Sequence, residues 1–127
     1  MDFERKIGLV TGGSKGIGKS ISVGLAEKSN DLIITYFRDK KNALITQNEI
    51  KELGVNCYIH KVDLSKLDQV EKLCIEVKNN HNQLNFLINN AATGINKNSL
   101  NLTNKHWEWV MNTNSKSPWI LSKNLSE

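Results

Sequence analysis

A glycine-rich segment near the start of this chain restricts its possible folds more than any other feature. A short apolar run at residues 7–11 leads into the sequence Thr-Gly-Gly-Ser-Lys-Gly-Ile-Gly at 11–18, after which apolar residues recur every four positions, as on one helical face. A glycine turn between a strand and a helix directs backbone N–H groups and the positive end of the helix dipole toward an anion. The segment therefore predicts a phosphate-binding loop whose glycines let the main chain approach a diphosphate.

Strand and helix patterns alternate through the remainder of the chain. Apolar or alternating runs predict further strands at 32–36, 55–62 and 86–89, with helical periodicity between them. Such alternation is typical of right-handed crossovers in a parallel sheet that carries helices on both faces. We expect one α/β domain over residues 1–127.

Local signals indicate where several helices begin and end. A helix over 41–53 should stop at Gly54, and the Ser-Lys-Leu-Asp sequence at 65–68 has the form of a capping box that opens the next helix. Thr103 is a plausible N-cap for a later helix. Pro118 predicts either a kink after Ser117 or a new helix with the proline in its first turn.

Composition argues against several classes of protein. The chain is 39% hydrophobic and 24% charged, and it has no apolar run near the roughly 18 residues of a membrane-spanning helix. The N-terminus does not look like a signal peptide, so we expect a cytoplasmic protein with no membrane partner. The charge of +4 comes from scattered lysines rather than one stripe, which argues against a nucleic-acid partner and leaves a basic surface near Lys40 as a weak alternative. No metal site is expected, and Cys57 and Cys74, which lack C-x-x-C spacing, should be ordinary buried thiols.

The glycine spacing by itself leaves two other interpretations open. Residues 13–20 also fit the P-loop pattern G-x-x-x-x-G-K-S, which would bring Lys19 to the phosphates of a nucleotide. A purely structural glycine turn is the second alternative. The choice between them depends on the rest of the chain.

Three separate segments together resemble the short-chain dehydrogenase/reductase family. These are the glycine loop at 11–18, Asp63 after the third strand, and Asn-Asn-Ala-Ala at 89–92 after the fourth. A P-loop protein has no reason to carry all three. The resemblance implies a Rossmann-type three-layer fold with strand order 3-2-1-4 that binds a nicotinamide dinucleotide. Within the family, residues 34–43, 89–94 and 106–112 look most like NADPH-dependent enoyl-acyl-carrier-protein reductases of the short-chain type, with 3-oxoacyl-acyl-carrier-protein reductases as near neighbours.

The resemblance also implies which residues contact the cofactor. Asp63 would accept a hydrogen bond from the adenine amino group, with Leu64 as a backbone partner, although Asp63 could instead be an acid that leads a helix. Asn89 would join neighbouring strands. The full expected set is Thr11, Gly12, Ser14, Lys15, Gly16, Ile17, Gly18, Arg38, Asp63, Leu64, Asn90, Ala91 and Ala92.

Charges after the second strand bear on which dinucleotide is bound. Arg38 falls at the basic position of NADP-preferring relatives, and Lys15 can approach the same phosphate, so we expect NADPH. Asp39 complicates this prediction, because it lies about 20 residues beyond the loop, where NAD enzymes place a ribose-binding acid. A simple solvated charge run is the alternative.

Asn114 is the candidate catalytic residue. Its spacing from Trp107 and Val110 predicts that its amide lies on the apolar, inward face of the fourth helix, where a backbone group or water would satisfy it. The resemblance implies that Asn114 holds a water in the proton relay to an active-site lysine. Asn112 is one alignment step away.

The family's catalytic tyrosine, its lysine four residues later and its serine are expected beyond residue 127. Neither Tyr36 nor Tyr58 is expected to replace that tyrosine. We therefore expect an incomplete Rossmann domain that keeps cofactor binding without catalysis, and whose apolar fourth strand promotes association. The intact enzyme would act on an acyl thioester of acyl carrier protein and form a homo-oligomer. A noncatalytic dinucleotide-binding module is the rival hypothesis.

Overall fold

The computed structural model describes residues 5–126. The first four residues, on which the expected absence of a signal peptide partly depends, and Glu127 lie outside this range. The strands are β1 (Ile7–Val10), β2 (Asp31–Tyr36), β3 (Cys57–Lys61) and β4 (Phe86–Ile88), and the helices are α1 (Gly16–Glu27), α2 (Lys40–Glu52), α3 (Leu67–Asn80), α4 (Asn104–Met111) and α5 (Ser117–Leu125). A short 3₁₀ turn covers Ser99–Asn101, and a π-helical segment, Asn112–Lys116, joins α4 to α5.

The described strands form one parallel sheet in the order β3-β2-β1-β4, which confirms the predicted topology. The strand β1 is central, and its Gly8 is in register with Leu32 of β2 and Phe86 of β4. A Cβ at Gly8 would lie 1.7 Å from the Phe86 ring, so the glycine lets that ring pack across the strand. β4 lies at one edge of the sheet, as expected.

Apolar side chains fill both faces of the sheet. On one face Leu9 and Ile33 pack against Leu73 of α3 and Leu121 of α5. On the other face a second cluster, covered by α1 and α2, contains Val10, Leu32, Ile34, Ile50 and Val55. Because successive residues of a strand point to opposite faces, the continuous apolar run of β2 contributes to both clusters. The result is the three-layer Rossmann-type arrangement.

The start of α3 differs from its prediction. The N-cap is Lys66 and makes no side-chain capping bond, so the capping box predicted at Ser65 is wrong. Instead, the Ser65 N–H and hydroxyl both donate to Asp63 Oδ1, at 3.0 and 2.6 Å. An acidic side chain two residues before Ser65 offers an acceptor in a local turn, and this turn competes with a serine cap.

Helix boundaries elsewhere follow the local signals. Gly54 has φ +92° directly after the end of α2, and Thr103 caps α4 by accepting a bond from the His106 N–H. Pro118 lies in the first turn of α5, which confirms the second of the two arrangements expected for it. No helix between residues 5 and 126 has both the length and the apolar character to cross a bilayer.

Candidate functional site

The carboxyl ends of the four strands border a cleft made of two adjoining depressions. The first, here the loop depression, lies between the glycine loop at 12–16 and residues 36–39 after β2. The second, here the Asp63 depression, lies between the end of β3 and α4. The two share Gly12, Tyr36, Phe37, Ala91 and Ala92, so they form one continuous surface. Ligands of open parallel sheets bind at this edge.

Backbone conformation in the glycine loop matches the demands of a phosphate cradle. Gly12 and Gly16 have φ +63° and +59°, a left-handed region that side-chain-bearing residues rarely adopt. A Cβ at Gly18 would lie 2.1 Å from the Gly12 carbonyl oxygen and 2.5 Å from Asn90 Nδ2. The last glycine is therefore required for the close approach of α1 to the end of β1.

The first turn of α1 is available to an anion. Its N-cap, Lys15, is extended and makes no side-chain capping bond, so the first N–H groups of the helix keep their capacity to bind a ligand. Lys15 and Ile17 are exposed at the rim. Lys19 Nζ instead forms an ion pair with Glu49 Oε2 at 3.0 Å, which accounts for this lysine without the P-loop interpretation.

Buried threonines fix the loop from behind. Thr35 Oγ1 accepts a hydrogen bond from the Gly12 N–H at 3.1 Å, and Thr46 Oγ1 donates to the Ser14 carbonyl at 2.6 Å. Both threonines are buried, and sequence reasoning did not select them. The only sequence feature that could have pointed to them is a hydroxyl-bearing residue in an otherwise apolar setting, the strand β2 for Thr35 and the buried face of α2 for Thr46. These bonds hold the cradle in place in advance of any ligand.

Thr11 and Asn90 join the ends of β1 and β4. Thr11 Oγ1 accepts from the N–H groups of Asn90 and Ala91 at 3.1 and 3.0 Å, and Asn90 Nδ2 donates to the carbonyls of Thr11 and Gly12. Asn90 thus makes the strand connection that was expected of Asn89. That expectation is wrong, because Asn89 Nδ2 lies 3.4 Å from Ser122 Oγ of α5.

The residues after β2 bring one cation, Arg38, and one anion, Asp39, to the loop depression. The Arg38 guanidinium lies over the Phe37 ring, 4.6 Å from its centroid. The Asp39 carboxylate caps α2 by accepting two bonds from Asn42, and these bonds hold the pKa of Asp39 below its usual value. The acid that complicated the cofactor prediction therefore has a structural role.

The Asp63 depression is bounded by the end of β3 and by residues of α4. Asp63 Oδ1 accepts the two Ser65 bonds, and the Asp63 N–H donates to Gln69 Oε1 at 2.9 Å. The carbonyl of Leu64 accepts a bond from the Ser117 hydroxyl. Trp109 and Thr113 also line this depression, and sequence reasoning missed both as site residues.

Asn114 lies elsewhere than its spacing predicted. Its side chain is exposed, and the buried residue of this turn is Thr113, so placement of Asn114 on the inward face is wrong. The reason is the π-helical segment, which inserts an additional residue into the turn and shifts the helical phase. The amide is nevertheless satisfied, because Thr93 donates to its Oδ1 at 2.8 Å and accepts from its Nδ2 at 2.7 Å. Its role in a proton relay stays a prediction.

Lys40 follows Tyr36 by four residues, which is the Tyr-x-x-x-Lys spacing of the family's catalytic pair, so the inference that neither tyrosine has a lysine at that spacing is wrong for Tyr36. Tyr36 ends β2, whereas Lys40 begins α2, so the two do not share a helical face. Tyr36 borders both depressions at the sheet edge. This position is consistent with a cofactor contact and leaves the catalytic assignment of Tyr36 unsupported.

The two cysteines are free and buried, as predicted. Burial raises the pKa of Cys57 to about 12 and also raises the pKa of Cys74, so neither is a ready nucleophile. Among residues 5–126 no group of three or more His, Cys, Asp and Glu side chains could hold a metal ion.

Two curated relatives align with most of this chain. The 3-oxoacyl-acyl-carrier-protein reductase FabG of Staphylococcus epidermidis is 37% identical over 113 residues, covering 87% of this chain and 46% of the relative. The 2-dehydro-3-deoxy-D-gluconate 5-dehydrogenase of Pseudoalteromonas atlantica is 33% identical, covering 98% of this chain and 49% of the relative. The chain thus spans about half the length of the curated relatives it matches.

A solved structure and a family model agree with these relatives. A short chain dehydrogenase from Burkholderia cenocepacia, in complex with NADP, superposes with a TM-score of 0.90 at 28% identity, covering 95% of this chain and 49% of that one. The family model described as short chain dehydrogenase matches residues 6–127. With the sheet order and the glycine loop at its carboxyl edge, these matches show that the chain belongs to the short-chain dehydrogenase family.

Proposed function

We propose that this chain binds NADPH in the cleft at the carboxyl edge of its sheet. The observation that carries the proposal is the cradle at 12–18, where a side chain at Gly18 would collide with the Gly12 carbonyl. Oriented N–H groups at a helix N-terminus favour a diphosphate. The complex of the Burkholderia relative with NADP supports the same class of ligand.

The charges around the loop depression favour the 2′-phosphate of NADPH over the free hydroxyl of NADH. Arg38 and Lys15 both line this depression, and either can pair with a phosphate. Asp39 is engaged by Asn42, so its carboxylate is already used as a helix cap. The adenosine then lies in the Asp63 depression.

The whole protein is proposed to be a reductase of acyl thioesters carried by acyl carrier protein. When bound, the cofactor supplies a hydride. Reduction of a 3-oxoacyl group is the first candidate, because FabG of Staphylococcus epidermidis is 37% identical. Enoyl reduction, the activity suggested by the sequence patterns, is the second candidate, since Ala92, which lines the cleft, replaces the glycine of the family's Asn-Asn-Ala-Gly signature, a departure that enoyl-reductase-like members share.

The proposal gives this chain's residues binding and positioning roles. The loop holds the diphosphate, Arg38 and Lys15 hold the additional phosphate, and Asn114 positions a water for proton transfer. Homo-oligomer formation and a cytoplasmic location belong to the proposal for the whole protein. If these residues act only in binding, the chain is instead a noncatalytic dinucleotide-binding module.

Titration of the whole protein with NADPH and NADH, followed by calorimetry and thermal melting, tests the cofactor assignment. We expect saturable binding and thermal stabilisation with NADPH and much weaker binding of NADH; absence of binding by either contradicts the proposal. Acetoacetyl and crotonyl thioesters then separate the two reactions. Binding of NADPH without turnover of either substrate would favour the noncatalytic module.

A further inference from the structure

A tryptophan borders the part of the cleft that faces away from the glycine loop. Trp109 of α4 lines the Asp63 depression opposite the end of β3, together with Leu64 and Ala91. Thr113, four residues further on, lines the same depression, so this side of the helical segment faces the cleft. The Trp109 side chain is 37% exposed, whereas Trp107 is 68% exposed and is not among the lining residues.

The chemistry of the two depressions assigns different parts of a dinucleotide to them. The loop depression has the glycine main chain, and its one carboxylate, Asp39, is accompanied by the two cations Lys15 and Arg38, which suit phosphates; no Lys or Arg of residues 5–126 lines the Asp63 depression. The Asp63 depression has a single carboxylate among mostly apolar side chains, including Val62 and Leu64. A phosphate would be disfavoured beside that carboxylate, whereas a purine has two apolar faces and an amino group that can donate to it.

We infer that Trp109 forms an aromatic wall against which the adenine of the bound dinucleotide stacks. The inference rests on the proposed function, because it requires that the cleft bind an adenine dinucleotide. An indole offers a large flat face, and stacking on it needs no hydrogen-bond partner from the base. Trp109 is therefore a binding residue for the adenine ring, while Asp63 orients the amino group of the base.

Adenosine 2′,5′-bisphosphate is the probe that isolates this contact, because it carries the base and the 2′-phosphate without the nicotinamide. Trp109→Ala in the whole protein should weaken its binding, measured by calorimetry, roughly 5- to 100-fold, the range found when stacking aromatics are removed. Trp109→Phe keeps an aromatic face and should stay within about threefold of the unaltered protein. Trp107→Ala is the matched control on the same helix and should bind as the unaltered protein does.

Indole fluorescence gives a second readout that does not require an alanine variant to fold. Within residues 1–127, Trp107→Phe and Trp119→Phe leave Trp109 as the single tryptophan, and any tryptophan in the rest of the whole protein is replaced by phenylalanine as well. Stacked adenine should then quench the Trp109 emission with the midpoint measured by calorimetry. The bisphosphate does not absorb in the range of indole emission, so quenching reports contact and not energy transfer.

The outcomes separate this inference from the proposed function. Normal affinity in Trp109→Ala, or unchanged Trp109 emission while calorimetry records binding, would overturn the stacking role and leave the cofactor assignment standing. Failure of the unaltered protein to bind NADPH, NADH and the bisphosphate would overturn both.

Discussion

The carboxylate of Asp39 accepts two hydrogen bonds from Asn42, one from its backbone N–H at 3.0 Å and one from its side-chain amide at 2.5 Å. These bonds cap α2 and lower the pKa of Asp39. Since they stabilise the ionised form in the folded state, their contribution is present above the unfolded pKa of about 3.9 and is lost as pH falls through the lowered folded value.

Asp39→Ala should therefore lower the melting temperature at neutral pH. The difference from the unaltered protein should begin to shrink once the pH falls below about 3.9, where the unfolded carboxyl takes up a proton, and should be lost below the lowered folded pKa, where the native carboxyl is protonated as well. Thermal melts over a pH series measure it. Asp39→Asn still offers an oxygen to the Asn42 N–H and serves as the control, with a smaller loss at neutral pH. An equal loss at every pH would contradict the capping role.

Gly18→Ala should abolish binding of NADPH and destabilise the fold. The new methyl group meets the Gly12 carbonyl, which is backbone and cannot rotate away, so we expect a cost of about 1–3 kcal/mol. Gly24→Ala is the matched control in the same helix, since a Cβ there has no neighbour within 4 Å. That control should gain about 0.5–1 kcal/mol in urea unfolding and keep its cofactor affinity. Similar behaviour of the two variants would argue against the cradle.

Arg38→Glu should weaken binding of NADPH far more than binding of NADH. The change replaces a cation beside the proposed 2′-phosphate with an anion, whereas NADH carries no phosphate at that position. Dissociation constants for both cofactors measure the ratio. Lys51→Glu, in the last turn of α2, makes the same charge change away from the cleft and should alter neither. Equal weakening of both cofactors by Arg38→Glu would refute the assigned role.

Thr11→Val should destabilise the protein by about 1–3 kcal/mol, because a methyl group of similar size cannot accept the N–H bonds of Asn90 and Ala91. Urea unfolding followed by circular dichroism provides the measurement. Thr11→Ser retains the hydroxyl and should recover most of that loss. If serine and valine are equally destabilising, packing of the lost methyl outweighs the hydrogen bonds.

Native protein should resist thiol reagents such as dithionitrobenzoate near pH 8. Cys57, whose pKa burial raises to about 12, and Cys74 are both buried, so almost no thiolate is present or accessible. Both thiols should react after denaturation in urea. Rapid labelling without denaturant would show that the sheet opens readily around these residues.

Much of the fold could be predicted because its signals are local. The apolar run of β2 indicates a strand buried on both faces, and Gly54 follows the end of α2 with the positive φ that its position suggests. The strand order came instead from the family resemblance. It could not be derived from periodicity, which describes one element at a time.

The capping box at Ser65 failed because of a local turn, whereas the errors at Asn114 and Trp109 concern residues whose environment is set by distant parts of the chain. Ser117 donates to the Leu64 carbonyl from 53 positions away, and this contact lies next to the π-helical segment that displaces Asn114 from the expected face. Trp109 lines the site because α4 packs beside the end of β3. Neither contact can be predicted from the spacing of residues within one element.

The contact between Thr11 and Asn90 also sets the order in which the cleft can be assembled during protein synthesis. The two residues are 79 positions apart, and the intervening chain contains three complete strands and three helices. A nascent chain can pair β1 with β2 early, but the wall formed by Asn90 and Ala91 is added only after β4 leaves the ribosome. Closing so long a segment is slow compared with local pairing. Cofactor present during translation therefore stabilises a late intermediate and has little to hold before residue 90 is made.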